Sequence, residues 1–560
     1  EPRELTTRRT PAITVRMNFR RLVPLFLILA LCPAAASAAP AVDPIAPAAP
    51  SGPVSRPNII FIMSDDHAAH AISCYGSKVN QTPNLDRIAA SGMKFTQAFV
   101  TNSICTPSRA TLLTGKYSHL NGSPVFNRFD GAQPHVARML QAGGYHTAMV
   151  GKWHLGSAPT GFDRWLVLPG QGLYRDPAFL TPAGQLKVEG YASDVITDLA
   201  IRTLEDRPRD RPFFLMLHHK APHRAWEPDE KNRALFKDRV IPLPTTFSDD
   251  YHSRPGALPQ NRQTIARDLT RRDLKLVPPP ALTPAERQAW LGTAPQSVDV
   301  PQPDGSLTTL TGDALTQWKY QRYMQDYLAC VQGVDDNVGR LLDYLDTSKL
   351  AENTVVLYTS DNGFFLGDDG LFDKRFMYEP SLRIPLLVRA PGLAAPASVS
   401  ARMVINTDFA PTFLDLAGIP IPTDMQGSSL KPLLTGNPSD NWRKSMYYRY
   451  YHDPGDHNTA AHLGIRTETE KLIHFWKLDT WEYYDLAADP SEQNNRIQDP
   501  AAAPRIEALR TELKRLQATL GDTGQFSESI PPSSVDGMPT GIKRLGLKTI
   551  AEACAAGKDG

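Results

Sequence analysis

Four short apolar segments, each followed at once by polar residues, constrain the fold of this chain more than any other feature. The segments are NIIFIM (58–63), HTAMV (146–150), PFFLML (212–217) and TVVLYT (354–359). Continuous apolar runs of this length, bounded by turn residues, are typical of buried parallel strands. Helical patterns at 84–93 and 192–205 lie between them. The alternation predicts an α/β domain with a large, mostly parallel sheet and helices on both faces.

The polar residues after the four segments are chemically coherent. They include Asp65 and Asp66 after the first segment and Asp361 and Asn362 after the fourth. Ligands bind at the carboxyl ends of strands in open parallel sheets, so we expect these side chains to share one crevice. A single aspartate there is more often a helix cap or turn residue. Two such pairs form an all-oxygen set that suits Ca²⁺, or alternatively Mg²⁺, better than zinc.

The segment CTPSRATLLTG begins with Cys105, followed by Pro107 and Arg109. Proline suits the first turn of a helix, so the pattern predicts a helix that begins close to Cys105. The cysteine would then lie at the positive end of the helix dipole, where backbone N–H groups can bind a sulfate or phosphate oxygen. The alternative is an inert buried thiol. That alternative leaves the following proline and arginine unexplained.

Cationic and proton-transferring side chains follow the same strand ends. Together they could stabilise an oxyanion and move protons. The candidates are Arg109, Lys152, His154, His223 and Lys374. No strand pattern places Lys374, so its assignment depends on the resemblance described next.

From about residue 56 to about residue 496 the chain resembles the type I sulfatases. The blocks that carry the resemblance include RPNIIFIMSDDH, CTPSRATLLTG, GYHTAMVGKWHLG, KAPHRAWEP, LYTSDNGFFLG and YYDLAADPSEQNN. The resemblance implies an alkaline-phosphatase-like fold with a smaller C-terminal subdomain, an antiparallel sheet with a helix. It also implies that a sulfatase-maturating enzyme oxidises Cys105 to Cα-formylglycine (3-oxoalanine), whose hydrate is the nucleophile.

The resemblance further implies a role for each candidate residue. Asp65, Asp66, Asp361 and Asn362 would bind Ca²⁺, together with an oxygen of the matured residue 105. Arg109 would position the hydrate, and Lys152, His223 and Lys374 would bind the sulfate oxygens. His223 or Lys374 would assist departure of the alcohol. His154 would be the base that releases sulfate from the covalent intermediate, so that one hard step is divided into two.

Composition and the N-terminal segment indicate which partners the protein lacks a charge pattern for and where it is located. The net charge is +1, so no excess charge points to nucleic acid or a membrane surface. Residues 17–38 read as a signal peptide cleaved near Ala38, which predicts a secreted or periplasmic protein, and residues 1–16 as an upstream extension. Cys32 hints at a lipoprotein site, but the large Leu31 before it favours ordinary cleavage. No later apolar run approaches a membrane span.

The remaining pattern predicts the domain organisation. Residues 39–57 form a Pro/Ala-rich tether and residues 58–430 the catalytic domain. Residues 228–315 are rich in Pro and Arg, and we interpret them as loops that wall the substrate crevice. Residues 431–525 read as the C-terminal subdomain, with a helix at 504–520. Beyond about 521 we expect a poorly ordered tail, which occupies 526–560.

The amino-acid sequences of several blocks resemble those of carbohydrate sulfatases related to N-acetylglucosamine-6-sulfatases and to mucin- or heparan-desulfating enzymes. Aromatic and charged residues near the predicted mouth suit sugar binding, although core packing explains each Trp equally well. They are Trp153, Trp165, Trp226, His462, Arg466 and Trp481. The open alternatives are an aryl- or choline-sulfatase, a phosphonate or phosphodiester hydrolase that uses the same aldehyde, and an inactive glycan-binding relative. Every catalytic position is filled, which argues against the last.

Overall fold

A computed structural model describes residues 56–536 together with Gly546, Leu547, Thr549 and Glu552. The strands are β1 (Asn58–Ser64), β2 (Met93–Phe95), β3 (Ala98–Phe99), β4 (His146–Lys152), β5 (Arg164–Leu168), β6 (Ala178–Thr181), β7 (Gly184–Lys187), β8 (Phe213–His218), β9 (Val298–Pro301), β10 (Leu307–Leu310), β11 (Thr354–Ser360), β12 (Phe365–Leu366), β13 (Phe372–Asp373), β14 (Leu386–Arg389), β15 (Ser398–Ser400), β16 (Val404–Ile405), β17 (Ser445–Tyr450), β18 (His462–Thr467), β19 (Glu470–Phe475), β20 (Thr480–Asp485) and β21 (Gly546–Leu547). The predicted signal peptide and nearly all of the tether lie outside the described residues.

Both helices that the sequence pattern predicts, at 84–93 and at 192–205, are present as the first and the fifth α-helix. The helices are α1 (Pro83–Ala90), α2 (Cys105–Thr114), α3 (Ser118–Asn121), α4 (Val136–Ala142), α5 (Ala192–Glu205), α6 (Glu230–Phe236), α7 (Ile265–Asp268), α8 (Pro284–Leu291), α9 (Gly312–Thr347), α10 (Glu379–Leu382), α11 (Phe409–Leu416), α12 (Lys431–Leu434) and α13 (Ala503–Leu520). No helix in the described part of the chain is both long and apolar enough to cross a membrane.

The main sheet has its parallel strands in the centre. In the described residues its order is β15-β2-β14-β11-β1-β8-β4-β5-β6-β7-β21. Strands β11, β1, β8, β4 and β5 run parallel to one another, whereas β14, β2, β6 and β7 add antiparallel pairings towards the edges. The four strands predicted from the apolar segments are β1, β4, β8 and β11. They lie side by side, which confirms the predicted fold class.

Alternate residues of these strands face two separate helical layers, as the pleat of a sheet requires. Ile60 and Ile62 of β1 pack in a core with residues of α1, α5 and α9. Phe61 and Met63 of the same strand pack in a second core with residues of α2, α4 and α11. Both faces of the sheet are therefore covered, which explains why each strand reads as a continuous apolar run.

The C-terminal subdomain is a second, antiparallel sheet of four strands in the order β17-β18-β19-β20. Helix α13, predicted at 504–520, spans Ala503–Leu520 and buries Ile506, Leu509 and Leu513 against this sheet. Beyond α13 the expectation of a poorly ordered tail is wrong for residues 522–536. Val535 is buried there, because backbone and side-chain hydrogen bonds attach its neighbour Ser534 to 126–128.

Candidate active site

The ends of four parallel strands bring the predicted residues to one edge of the main sheet. Ser64 pairs in register with Ser360, and His218 pairs with both Met63 and Gly151. Asp65, Asp361 and Lys152 therefore emerge next to one another. Gly151 at the end of β4 has φ of +107°, and a Cβ there would lie 1.9 Å from the carbonyl oxygen of His218. Only glycine permits this close approach of β4 to β8.

Cys105 is the first residue of α2, as the sequence predicts. Its thiol donates to Asp65 Oδ1 at 3.3 Å, and Lys374 Nζ lies 3.2 Å from its Sγ. Burial raises the pKa of the Cys105 thiol above its ordinary value, and the Asp65 carboxylate raises it further. A thiol in this setting stays protonated near neutral pH, so an unmodified Cys105 is a weak nucleophile.

Three buried carboxylates form a candidate metal site beside Cys105. Oxygens of Asp65, Asp66 and Asp361 lie within 4.8 Å of one another. Burial raises the pKa of Asp66 to about 7 against the pull of Lys374, and the neighbouring carboxylates raise it too. The amide oxygen of Asn362 is buried and has no hydrogen-bond partner among the described residues. This donor set fits a hard divalent cation. Such a cation would reduce the repulsion among the three carboxylates and would give the Asn362 amide oxygen a partner.

Three cationic side chains surround the carboxylates. Arg109 ion-pairs with Asp361 at 2.9 Å and with Asp65 at 3.5 Å, Lys152 ion-pairs with Asp65, and Lys374 with Asp66. Burial alone would raise the pKa of Asp65, but the cations of Lys152 and Arg109 hold it well below its ordinary value. The site therefore contains both a carboxylate cluster and a set of cations that can receive an anion.

The two predicted histidines lie on the rim of this cluster. His223 Nε2 is 3.9 Å from Asp66 Oδ2, and its Nδ1 is 2.6 Å from the carbonyl oxygen of Arg224. Burial, reinforced by Lys152, holds the pKa of His223 well below its ordinary value. His154 is also buried, and its carbonyl oxygen accepts a hydrogen bond from Thr106 next to Cys105. Burial lowers the pKa of His154 to about 4.

Comparison with known protein families decides the identity of this site. Residues 57–419 match the family described as Sulfatase, and residues 367–519 match one described as N-sulphoglucosamine sulphohydrolase, C-terminal. The chain belongs to the sulfatase family. It is therefore an enzyme, a sulfuric ester hydrolase, as its sequence resemblance predicts.

Individual relatives are similar over most of their length. An N-acetylglucosamine-6-O-sulfatase of Bacteroides thetaiotaomicron is 43% identical over 513 residues, which is 88% of this chain and 90% of that protein. The N-acetylglucosamine-6-sulfatase of Capra hircus is 26% identical over 503 residues, 79% of this chain and 80% of its own. A solved structure of a protein in complex with its substrate D-glucosamine-2-N,6-O-disulfate has a TM-score of 0.79 and 42% identity. It covers 85% of this chain and 100% of that chain.

Three residues predicted to bind substrate do not line the crevice of this sulfatase, so that prediction is wrong. Trp226 is fully buried among Tyr323 and other aromatic rings. His462 is fully buried and accepts a hydrogen bond from the backbone N–H of Met377. Arg466 forms a buried, two-pronged ion pair with Glu379. Trp153 and Trp165 likewise pack in the core. Short aromatic motifs do not reveal which face of an element is buried.

A charged cluster beside Lys374, here named the rim cluster, was missed by sequence reasoning. Arg224 pairs with Asp273 through two hydrogen bonds of 2.8 and 2.6 Å. Asp373 pairs with Arg375 at 2.8 Å and with His457 at 2.8 Å. The rim cluster consists of Arg224, Asp273, Asp373, Arg375 and His457. Asp373 and Arg375 flank Lys374 in the sequence, and Arg224 follows His223. Their position beside predicted site residues is the sequence signal from which the cluster could have been predicted.

Two further polar residues hold the cations in position. Gln171 accepts a hydrogen bond of 2.6 Å from Lys152 Nζ. His218, at the end of β8, has its Nδ1 3.2 Å from the carbonyl oxygen of Lys152 and 3.4 Å from Arg109 Nη1. Gln171 lies 19 residues from Lys152 in sequence and His218 lies 109 residues from Arg109, so only the fold reveals these contacts. The region 228–315 contributes Asp273 to the rim cluster, where it pairs with Arg224, the residue after His223.

Proposed function

We propose that this sulfatase removes the 6-O-sulfate from N-acetylglucosamine or N-sulfoglucosamine units of sulfated glycans. The relatives named above support this choice of substrate. The observation that carries the catalytic assignment is the position of Cys105. Its Sγ lies between Asp65 Oδ1 and Lys374 Nζ, at 3.3 and 3.2 Å. A group at this position faces the candidate metal ligands on one side and the anion-binding cations on the other.

We assign Asp65, Asp66, Asp361 and Asn362 as ligands of a divalent cation, which we propose to be Ca²⁺, with Mg²⁺ as the alternative. Three carboxylates and an amide oxygen suit both ions. When bound, the cation would supply Lewis-acid polarisation of oxygens in the site. Lys374 and Lys152 each contact one of the carboxylates, so they balance part of the negative charge.

We propose that a maturating enzyme converts Cys105 to Cα-formylglycine, whose hydrate supplies the nucleophilic oxygen. Arg109 fits a positioning role, because it is held rigidly by Asp361 and by the carbonyl oxygen of Lys152 at 2.6 Å. The ammonium groups of Lys152 and Lys374 and the ring of His223 would bind the sulfate oxygens. These donors are already oriented in the fold, so little reorganisation would accompany charge development.

The proton transfers can be divided among three side chains. Although burial disfavours the charged form of Lys374, Asp66 raises its pKa well above the ordinary value, so the amine keeps its proton. It can therefore support the departing alcohol oxygen. His223 is neutral without substrate, and a bound sulfate would favour its protonated form. His154 is neutral because it is buried, so it can accept a proton near residue 105.

The rim cluster would recognise the sugar ring. Carboxylate and guanidinium groups match the acceptor and donor character of sugar hydroxyls. Arg224 and His457 are 24% and 20% exposed in their side chains and can reach a bound glycan, whereas Asp273 and Asp373 are nearly buried and hold them in place. We also propose that the protein is secreted or periplasmic, where sulfated glycans are accessible.

A panel of sulfated sugars tests the substrate assignment. The matured enzyme should release sulfate from 6-O-sulfated N-acetylglucosamine or N-sulfoglucosamine with a higher kcat/KM than from 3-O- or N-sulfated isomers, as measured by chromatography. An aryl sulfate, choline sulfate and a phosphonate monoester complete the panel. A higher kcat/KM on any of these three would contradict the proposed substrate while leaving the sulfatase family assignment intact.

A further inference from the structure

Residues 526–536 of the C-terminal tail reach the active site and contact a candidate catalytic residue. Asp536 Oδ1 lies 3.2 Å from His154 Nε2. The His154 side chain is fully buried, whereas that of Asp536 is 69% exposed. The exposed carboxylate therefore lies between the solvent and Nε2 of the buried ring.

The segment that carries Asp536 is held by specific contacts. Ser534 N donates to the carbonyl oxygen of Phe126 at 2.8 Å, and Arg128 N donates to Ser534 Oγ at 2.9 Å. A Cβ at Gly156 would lie 3.0 Å from the Ser534 carbonyl oxygen, and one at Gly170 would lie 3.1 Å from that of Asp536. The tail thus follows a path where these two glycines leave room for its backbone, and the position of Asp536 is defined.

The contact selects a tautomer of His154. A neutral imidazole carries its proton on one nitrogen and a lone pair on the other. With the carboxylate of Asp536 at Nε2, the proton belongs on Nε2, and Nδ1 carries the lone pair. Nδ1 is buried and has no hydrogen-bond partner among the described residues. The hydrogen bond from Thr106 to the His154 carbonyl oxygen ties this residue to the neighbour of Cys105.

We propose that Asp536 is a positioning residue for His154. By accepting the Nε2 proton it fixes the ring and leaves Nδ1 free to accept a proton from the group at residue 105. This inference rests on the proposed function, because it assumes that His154 acts as a base. It assigns a role in catalysis to Asp536, which lies 382 residues from His154 in sequence.

The test compares Asp536→Ala, Asp536→Asn and Asp536→Glu in the matured full-length enzyme. Asp536→Ala should lower kcat on the order of 10- to 100-fold, by analogy with the loss of a partner that orients a metal-binding histidine. KM should change little, because a positioning residue acts on His154 and not on the substrate. Asp536→Asn should be similarly impaired, because its amide can stabilise the wrong tautomer. Asp536→Glu should recover part of kcat.

Two tail variants serve as matched controls. Glu528→Ala removes an exposed acid whose partner is Lys477 at 3.4 Å, and it should leave kcat unchanged. Ser534→Ala removes only the side-chain hydrogen bond with Arg128 N and keeps both the backbone bond to Phe126 and the carboxylate of Asp536, so it should affect kcat much less than Asp536→Ala. An equal loss of kcat in Ser534→Ala and Asp536→Ala, or a loss confined to KM, would overturn the positioning role.

A second readout does not require turnover. Because Asp536 covers Nε2, Asp536→Ala should make His154 react faster with diethyl pyrocarbonate, measured by peptide mass spectrometry, whereas Glu528→Ala should not. Unchanged reactivity overturns the proposal even in protein whose residue 105 is not matured. If His154→Ala retains full kcat, the base role in the proposed function fails. If only His154→Ala is impaired and Asp536→Ala is normal, the positioning role alone fails.

Discussion

The guanidinium of Arg109 donates two hydrogen bonds to a single oxygen of Asp361, from Nε at 3.1 Å and from Nη2 at 2.9 Å. Both side chains are buried. The second oxygen of Asp361 accepts a hydrogen bond from the backbone N–H of Asp66 at 3.2 Å. Asp361 therefore joins the helix that carries Cys105 to the turn after β1, and it is also a candidate metal ligand.

Because Asp361 has two roles, Asp361→Ala should lose stability as well as activity. The variant leaves the buried Arg109 with only the longer ion pair to Asp65, so unfolding should require about 3 kcal/mol less free energy. Asp361→Asn keeps an acceptor and should lose less, although both variants should lose sulfate release. Denaturant unfolding of metal-free protein measures the difference. Asp343→Ala, which breaks an exposed pair with Arg87, is the control and should cost under about 1 kcal/mol. Equal stability of the Asp361→Ala variant and the wild type would contradict this account.

Removal of the metal should make stability depend on the ionisation of Asp66. The pKa of Asp66 is about 7 in the folded protein without metal and ordinarily 3.8. Between these two pH values the folded state binds a proton at Asp66 that the unfolded state has lost. Stability from this group is complete below about pH 4 and is lost as pH rises through about 7. The chelated wild type should therefore lose Tm between about pH 4 and pH 7 relative to Asp66→Asn. Added Ca²⁺ should restore Tm at about pH 8 only in the wild type, and parallel Tm curves would refute the assignment.

Residue 105 should carry an aldehyde in the active enzyme. The buried thiol has a raised pKa, and sulfur is a poor ligand for a hard cation, whereas a hydrate oxygen is a good one. The tryptic peptide that contains residue 105 should lack sulfur and react with hydrazide probes. Cys105→Ala should abolish turnover while leaving Tm close to that of the wild type. Active enzyme whose peptide map contains only unmodified thiol at 105 would defeat the mechanism.

His154→Ala should separate the two halves of the reaction. If His154 accepts the proton that releases sulfate, the first half proceeds and the second stalls. The peptide containing residue 105 should then retain a sulfuryl group after incubation with substrate, as intact-mass analysis can detect. Protein incubated without substrate is the control. The absence of this adduct at every substrate concentration would count against the role of His154.

Arg224 and Asp273 should govern sugar preference more than bond cleavage. Asp273 is buried and orients Arg224 in the rim cluster. Asp273→Ala should lower kcat/KM on a 6-O-sulfated sugar on the order of 10-fold, the loss expected when one charged hydrogen bond is misaligned. A small aryl sulfate, which lacks sugar hydroxyls, should be affected much less. Shortening the exposed 302–306 turn between β9 and β10 is the control in the same region. Equal losses on both substrates would refute the selectivity role.

The sequence by itself determined the parts of the site that follow local rules. Apolar runs define β1, β4, β8 and β11, and the polar residues that follow them must meet at one edge because the strands are parallel. Pro107 is compatible only with the first turn of α2, so the helix start at Cys105 could be predicted. The helix predicted at 504–520 likewise corresponds to α13.

Only the tertiary structure decided which distant side chains complete the site and which are buried. Lys374 follows a two-residue strand, too short to give a signal, and reaches Cys105 because of long-range packing. Asp536 lies in a segment without periodicity, and its contact with His154 depends on where Phe126 and Arg128 hold the tail. From the sequence we predict sugar binding for Trp226, His462 and Arg466, but the side chains of all three are buried in the packed interior. Sequence patterns report local geometry, whereas burial and contacts between distant residues arise from how the elements pack.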